Sequence, residues 1–233
     1  METIILSLGG SILVPDEIDY FFLKEFKQFV LDYIEKDYKF IIFCGGGRIN
    51  TKYITAAKRI SKIKEKDLDW VGIMASRLNA ELLRVIFQDL SAKKVIYDPT
   101  EKITLEKPVT VAAGWKPGWS TDYDAVLMAE QLNINEVINL TNISYVYDKD
   151  PNKHKDAEKI KETTWKKYLE IIGEKWSPRL STPFDPIASK KAKQIGLKVA
   201  IIKGTDLKNL RNYLEKKDFK GTLISNSSHN PLN

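Results

Sequence analysis

Thr3-Ile4-Ile5-Leu6-Ser7-Leu8-Gly9-Gly10-Ser11 is an apolar run of strand length that two glycines cut short. The pattern returns at Phe40-Ile41-Ile42-Phe43-Cys44, which stops at Gly45-Gly46-Gly47. Between these runs, over residues 19–36, apolar side chains recur at helical spacing: Phe22, Phe26, Phe29, Val30, Tyr33 and Ile34. Asp19 is placed to cap that helix. Strand, glycine turn, helix, strand, glycine turn is the start of an α/β chain with a mainly parallel sheet.

The rest of the chain keeps the alternation. Helices are predicted over residues 49–62, 67–90, 122–132, 166–172, 185–195 and 207–214. In the longest, Ile73, Leu78, Leu82, Leu83, Ile86 and Leu90 form the apolar side. Strands are predicted at 94–97, 109–113, 137–140, 198–202 and 222–224, with loops at 114–120 and 174–183. A polar, proline-bearing turn is expected at 147–152. One domain over residues 1–226 is expected, with 1–133 supplying one half of the sheet and 134–226 the other. The polar residues 227–233 are expected to be a disordered tail.

Composition sets the outer limits. Of 233 residues, 43% are apolar and 10% aromatic, ample for a packed core. A single cysteine, Cys44, cannot form an internal disulfide, so a reducing compartment is expected and a buried thiol is its simplest reading. The first residues lack the basic region and cleavage site of a signal peptide. No apolar stretch approaches the roughly 20 residues that span a bilayer. A cytoplasmic protein without membrane partners is therefore expected. The charge of +6, from 37 basic and 31 acidic side chains, suits a small polyanion. The lysines are spread over several helices, so no nucleic-acid surface is expected.

In open α/β sheets ligands collect at the carboxyl ends of the strands. Three glycine-bearing loops fall there: Gly9-Gly10-Ser11, Gly45-Gly46-Gly47 and residues 114–121. Glycine permits close backbone approach, and the exposed N–H groups of such turns can hold phosphate oxygens. Taken singly, each loop also reads as a plain turn. None is a Walker A loop or a G-x-G-x-x-G fingerprint.

Leu8-Gly9-Gly10-Ser11, Cys44-Gly45-Gly46-Gly47-Arg48, Gly114-Trp115-Lys116-Pro117-Gly118-Trp119-Ser120-Thr121-Asp122, and Thr141-Asn142 followed by Tyr147 and Asp150-Pro151 resemble, in that order, the motifs of the amino-acid-kinase superfamily. Residues 71–80 and 185–190 are similar to segments of its archaeal-type UMP kinase branch. The resemblance implies a three-layer α/β/α sandwich and phosphoryl transfer from ATP, with Mg²⁺ bridging donor phosphates. It implies that Ser7, Leu8, Gly9, Gly10, Ser11 and Gly47 hold ATP phosphates, and that Thr141, Asn142, Tyr147 and Asp150 hold its adenosine. It places UMP against Gly46, Asp69, Trp115, Lys116, Pro117, Gly118, Trp119, Ser120 and Thr121. It also implies a homo-oligomer, a hexamer built as a trimer of dimers.

Departures from the pattern carry information. Many relatives have lysine where this chain has Ser7, and Thr51 stands where an arginine is frequent. The Val-Asp-Gly-Val-Tyr usual after Thr-Asn is here Ile143-Ser144-Tyr145-Val146-Tyr147, which suggests a reshaped adenine pocket. Arg48, Lys52 and Lys190 are the cations available to compensate, and Arg48 and Lys190 are the catalytic candidates. A phosphate acceptor is already anionic, so positioning and charge neutralisation matter more than a general base. His154 and His229 are expected on polar surface, and no protein metal site is predicted. Trp115 and Trp119 read either as base-stacking rings or as packing for a neighbouring subunit. Another small-molecule kinase of the superfamily and a silent nucleotide sensor are the competing readings.

Overall fold

The computed structural model describes residues 2–151, 153–173 and 182–227. Its strands, in chain order, are β1 (Glu2–Leu8), β2 (Tyr38–Cys44), β3 (Val109–Ala112), β4 (Glu136–Thr141), β5 (Val146–Tyr147), β6 (Lys159–Ile160), β7 (Glu162–Thr164), β8 (Lys198–Lys203) and β9 (Gly221–Ser225). A seven-stranded sheet runs β3-β2-β1-β4-β8-β9-β7, and β5 pairs with β6 as a separate antiparallel ribbon. The five strands from β3 to β8 are mutually parallel; β9 runs antiparallel to β8, and β7 follows β9. The chain steps outward from β1 to β3, then returns to place β4 on the other side of β1. The order of strand addition reverses there, which is where open α/β sheets leave a crevice.

The helices are α1 (Gly10–Leu13), α2 (Tyr20–Ile34), α3 (Gly47–Ile60), α4 (Glu65–Phe87), α5 (Thr121–Gln131), α6 (Trp165–Ile172), α7 (Pro186–Ile195) and α8 (Leu207–Leu214). Alternation along β1 explains the layers. Ile4, Leu6 and Leu8 pack with Phe26 of α2, Leu83 of α4 and Leu210 of α8. Ile5 points the other way, into a second core with Met128 of α5, Trp165 of α6 and Ala188 of α7. Both faces of the sheet are thus covered by helices, giving the three-layer α/β/α sandwich. Full burial of each such side chain contributes about 1.5–3 kcal/mol. Cys44 is fully buried in the first core, and burial pushes its thiol pKa up, as an inert packing residue requires.

Most predicted elements lie within a few residues of those observed, and Asp19 caps α2 by accepting a hydrogen bond from the Phe22 amide. Three readings change. Residues 94–97 do not form a strand; Ile96 makes a lone bridge to Ala112 beside β3. Gly9-Gly10-Ser11 does not merely end β1 but leads into the short helix α1. Leu78 is 62% exposed rather than on the apolar side of α4. It shares an outward stripe with Trp70, Met74 and Val85, spaced by whole helical turns. The predicted loop at 174–183 and the tail at 227–233 fall mostly outside the described residues.

The loops after β1 and β2 meet without side chains between them. A Cβ on Gly10 would lie 2.0 Å from the Gly47 nitrogen and 2.5 Å from the Gly45 carbonyl. Gly47 has φ +65, a left-handed conformation that a side chain would strain. Gly10→Ala must therefore push two backbone segments apart, at a cost of about 1–3 kcal/mol or more. Its urea midpoint should fall well below that of the parent chain, and an unchanged midpoint would refute this packing.

Candidate active site

A cleft of about 230 Å³ opens at the carboxyl ends of β2 and β3. Gly45 and Gly46 line it from the loop after β2, Gly114, Pro117 and Trp119 from the loop after β3, and Asp69, Gly72 and Ile73 from α4. The first turns of α5 and α7 close it, through Thr121, Asp122 and Asp185. A larger cavity of about 500 Å³ lies at the opposite end of the strands, beside Glu2, Glu136 and Lys198. The smaller cleft is the candidate, because it has the glycine loops and helix N-termini at the end of the sheet where α/β ligands bind.

Helix α4 fixes the shape of the 114–120 loop. Asp69 Oδ2 accepts from the Gly118 amide at 3.2 Å. The Ser76 hydroxyl donates to Ile73 O at 2.7 Å and accepts from the Gly114 amide at 2.9 Å. Arg77 Nη2 donates to Trp115 O at 3.0 Å and Nε to Gly114 O at 3.3 Å. Residues seven or eight positions apart share one face of a helix, so Asp69, Ser76 and Arg77 act as a row of clamps. Asn79 extends the row by donating to Gly45 O at 2.8 Å, which ties in the loop after β2 as well.

The aromatic residues of this loop form a ladder. Trp119 stacks on Tyr123 with ring centres 4.3 Å apart, and Trp115 lies 6.4 Å from Trp119 on a nearly parallel plane. Lys116 Nζ sits 3.5 Å from the centre of the Trp115 ring. Trp119 lines the cleft, whereas Trp115 is not among its lining residues.

A chain of hydroxyls and carboxyls crosses the inner side of the cleft. Ser7 is 3% exposed at the end of β1, and its hydroxyl donates to Asp122 Oδ1 at 2.8 Å. Ser120 caps α5 through the Tyr123 amide and donates a short hydrogen bond to Asp185 Oδ2. Asp185 caps α7, its Oδ1 accepting from the amides of Ile187 at 2.7 Å and Ala188 at 3.0 Å. The preceding residue, Phe184, is pinned at both backbone groups by the Tyr168 hydroxyl, at 2.9 Å and 2.8 Å. Burial raises the proton affinity of both carboxyls. That of Asp122 is pushed up to about 7, by burial first and by the charge of Asp185 second. Asp124, fully buried one turn into α5, is also raised by burial, and its Oδ1 has no hydrogen-bond partner.

The structure gathers part of the predicted set. Gly46, Asp69, Pro117, Trp119, Ser120 and Thr121 line the cleft, and Gly118 is tied to Asp69 across it. Ser7 and Gly10 adjoin it through Asp122 and Gly45. Leu8 belongs to the core, the Gly9 amide is spent on Leu140 O at 2.9 Å, and Ser11 is exposed. Gly47 opens α3 beside Arg48, whose guanidinium pairs with Asp16 at 2.7 Å on open surface. Lys190 is exposed on α7. Thr141 and Asn142 close β4, while Tyr147 and Asp150 lie in and after β5, outside the cleft lining. His154 is exposed, as expected, and His229 is outside the described residues.

Residue-type reasoning passed over Asp122, Asp185 and Asn50. The signal for the first two was present: each is an acid at a helix start, after Ser120-Thr121 and before Pro186. Asn50 lines the cleft from α3 with a buried Oδ1 that has no hydrogen-bond partner, which no sequence pattern announces. Among the described residues no group of three or more His, Cys, Asp or Glu side chains could hold a metal ion.

Comparison with known proteins gives one answer. The amino acid kinase family matches residues 2–203. A uridylate kinase of Thermococcus sibiricus is 33% identical over 224 residues, covering 95% of this chain and 98% of that protein. A uridylate kinase of Methanococcus aeolicus is 33% identical over 228 residues, covering 95% and 99%. The crystal structure of uridylate kinase from Archaeoglobus fulgidus superposes with a TM-score of 0.80 at 30% identity, covering 97% of this chain and all of that one.

Proposed function

The chain belongs to the amino acid kinase family, and on that premise we propose that it is a UMP kinase, moving the γ-phosphoryl group of ATP onto UMP to give UDP and ADP. The observation that carries this reading is the likeness to uridylate kinases at 30–33% identity over 95–97% of the chain. A pyrimidine-nucleotide-forming role in the cytoplasm follows from that activity. Among the described residues no helix is long and apolar enough to cross a membrane.

The acceptor nucleotide occupies the cleft, on the half of the sheet made by residues 1–133. Gly46 and residues 115–121 surround its phosphate and base, with Asp69 at the sugar. ATP lies over Ser7 to Ser11 and Gly47, with Thr141, Asn142, Tyr147 and Asp150 at its adenosine. The two phosphate chains then meet end to end above Ser7. An acceptor phosphate oxygen forms the new bond to the γ-phosphorus as the bond to the bridging oxygen of ADP breaks. Mg²⁺ bound together with ATP would neutralise part of the charge on the transferred group. The chain itself supplies orientation, through the α4 clamps on the acceptor loop, and positive charge, through Arg48 and Lys190. Arg48 must leave Asp16 to act, an exchange that costs little because both partners are exposed.

A homo-oligomer, a hexamer assembled as a trimer of dimers, is part of the same proposal. Its support is the exposed stripe Trp70, Met74, Leu78 and Val85 on the outer face of α4. Dimerisation there would brace the helix that holds the acceptor loop.

A coupled assay for ADP release should show turnover with UMP and far less with CMP, UDP or carboxylate acceptors. Turnover with CMP alone would refute the acceptor, and tight ATP binding without turnover on any acceptor would refute the kinase. In the same assay Arg48→Ala should lose more activity than Lys58→Ala, and equal kinetics would remove Arg48 from the site. Leu78→Glu should shift the mass measured by light scattering to that of a smaller species; an unchanged mass would exclude the α4 stripe as an interface.

A further inference from the structure

We propose that Asn50 reads the sugar of the acceptor nucleotide, its side-chain amide forming a hydrogen bond with a ribose hydroxyl. This deepens the kinase reading and rests on it. Asn50 lines the cleft from near the start of α3. Neither end of its carboxamide has a hydrogen-bond partner among the described residues. The two ends differ in exposure: Oδ1 is enclosed and Nδ2 is not. A cleft-lining side chain thus keeps an uncommitted N–H donor. A hydroxyl both donates and accepts, so it pairs with the open end whichever way the carboxamide is turned.

The side chain has a seat that fixes where this donor stands. A Cβ on Gly72 would lie 3.2 Å from both Oδ1 and Nδ2 of Asn50, and one on Gly46 would lie 3.2 Å from its Cβ. The carboxamide therefore rests across the backbone of α4 at a position with no side chain to displace it. Asp69 stands one turn earlier on the same face of α4, lines the same cleft and holds the Gly118 amide. The other side chains of this wall are committed or apolar. The Ser76 hydroxyl is engaged by Ile73 and Gly114, and Ile54, Leu68 and Ile73 carry no polar side-chain atom. Asn50 and Asp69 are thus a donor and an acceptor on adjoining turns of one wall.

Three parts of a nucleoside monophosphate could meet that pair. The phosphate presents negatively charged acceptors, and an aspartate one turn away disfavours it there. The glycine-loop amides and the first turn of α5 suit it better. The base is a flat ring, which fits Trp119 and Pro117 in the loop after β3. The ribose brings two neighbouring hydroxyls, each a donor and an acceptor, and a donor set beside an acceptor matches them. The open N–H end loses little while water reaches it. It loses more once a ligand without a matching group covers it. Asn50 therefore acts as a specificity residue, selecting against a nucleotide that lacks the hydroxyl.

The test compares kcat/KM for UMP, 2′-deoxyUMP and 3′-deoxyUMP in the parent chain and in Asn50→Ala. The parent should favour UMP over at least one of the deoxy analogues. Asn50→Ala should lose roughly tenfold in kcat/KM for UMP and less than about twofold for the disfavoured analogue, so the preference contracts. No preference in the parent, an unchanged kcat/KM for UMP in the variant, or equal losses on all three nucleotides would overturn the proposal. Should Asn50→Ala fail to fold, the parent chain suffices. The side-chain amide resonances of Asn50 are followed by nitrogen–proton NMR as UMP or either deoxy analogue is added to saturation. A shift with UMP that one deoxy analogue does not reproduce supports the proposal. The same shift with all three, or none with UMP, overturns it. If the parent chain turns over no UMP, the kinase reading fails, and the NMR titration still reports whether Asn50 meets a ribose hydroxyl.

Discussion

The cleft depends on one close contact: the backbone at Gly10 rests against the backbone at Gly45 and Gly47 with no side chain between them. Parallel pairing of β1 with β2 brings the ends of the two strands level, Leu8 opposite Cys44. The chain must then turn twice in nearly the same space. The absence of a Cβ at these positions is what allows both turns, and it leaves α1 and α3 starting side by side. Two helix N-termini converge at the end of the sheet as a result, although α1 is a single turn and contributes little dipole.

Helix α4 couples this pair of turns to the third. Asn79 holds the Gly45 carbonyl, while Asp69, Ser76 and Arg77 hold the loop from Gly114 to Gly118. A single rigid element thus sets the distance between the loops after β2 and β3. The same helix buries Leu68, Ile73, Ala80, Leu83 and Phe87 and turns Trp70, Met74 and Leu78 outward. Arg77 joins the two roles, since its guanidinium also lies 5.9 Å from the centre of the Trp70 ring on the outer stripe. Anything that binds the outer face of α4 therefore touches residues beside those that shape the 114–120 loop.

The sheet was legible in the sequence because its central strands are buried on both faces and read as unbroken apolar runs, Ile4 to Leu6 and Phe40 to Cys44. Residues 94–97 misled for a complementary reason. Their composition suits a strand, but the run opens on Lys94, directly after Lys93, beside edge strand β3, and a single bridge to Ala112 is all that forms. Leu78 misled because periodicity separates the two sides of a helix without saying that both can be apolar. At the site, glycine spacing pointed to the right loops. It could not point to Asp122 and Asp185, which become partners by tertiary packing across 63 residues of chain. Hydrogen-bond networks between distant elements leave no local pattern.

Charge is the remaining constraint. A site for two phosphorylated ligands is expected to be rich in fixed cations, yet Ser7, Asp122 and Asp185 occupy its inner side. Three ionised carboxylates at Asp122, Asp124 and Asp185 would repel any polyanion and each other. Burial resolves the conflict by favouring the neutral form at Asp122 and Asp124. Burial pushes the Asp185 pKa up as well, while the amides of α7 and the Ser120 hydroxyl work against that by bonding its oxygens. A serine at position 7 is consistent with this arrangement: its hydroxyl can bond a neutral carboxyl, whereas an ammonium group there would favour the ionised one. The residues on the inner side of the cleft are thus linked in series, Ser7 to Asp122 by a hydrogen bond and Asp122 to Asp185 by charge.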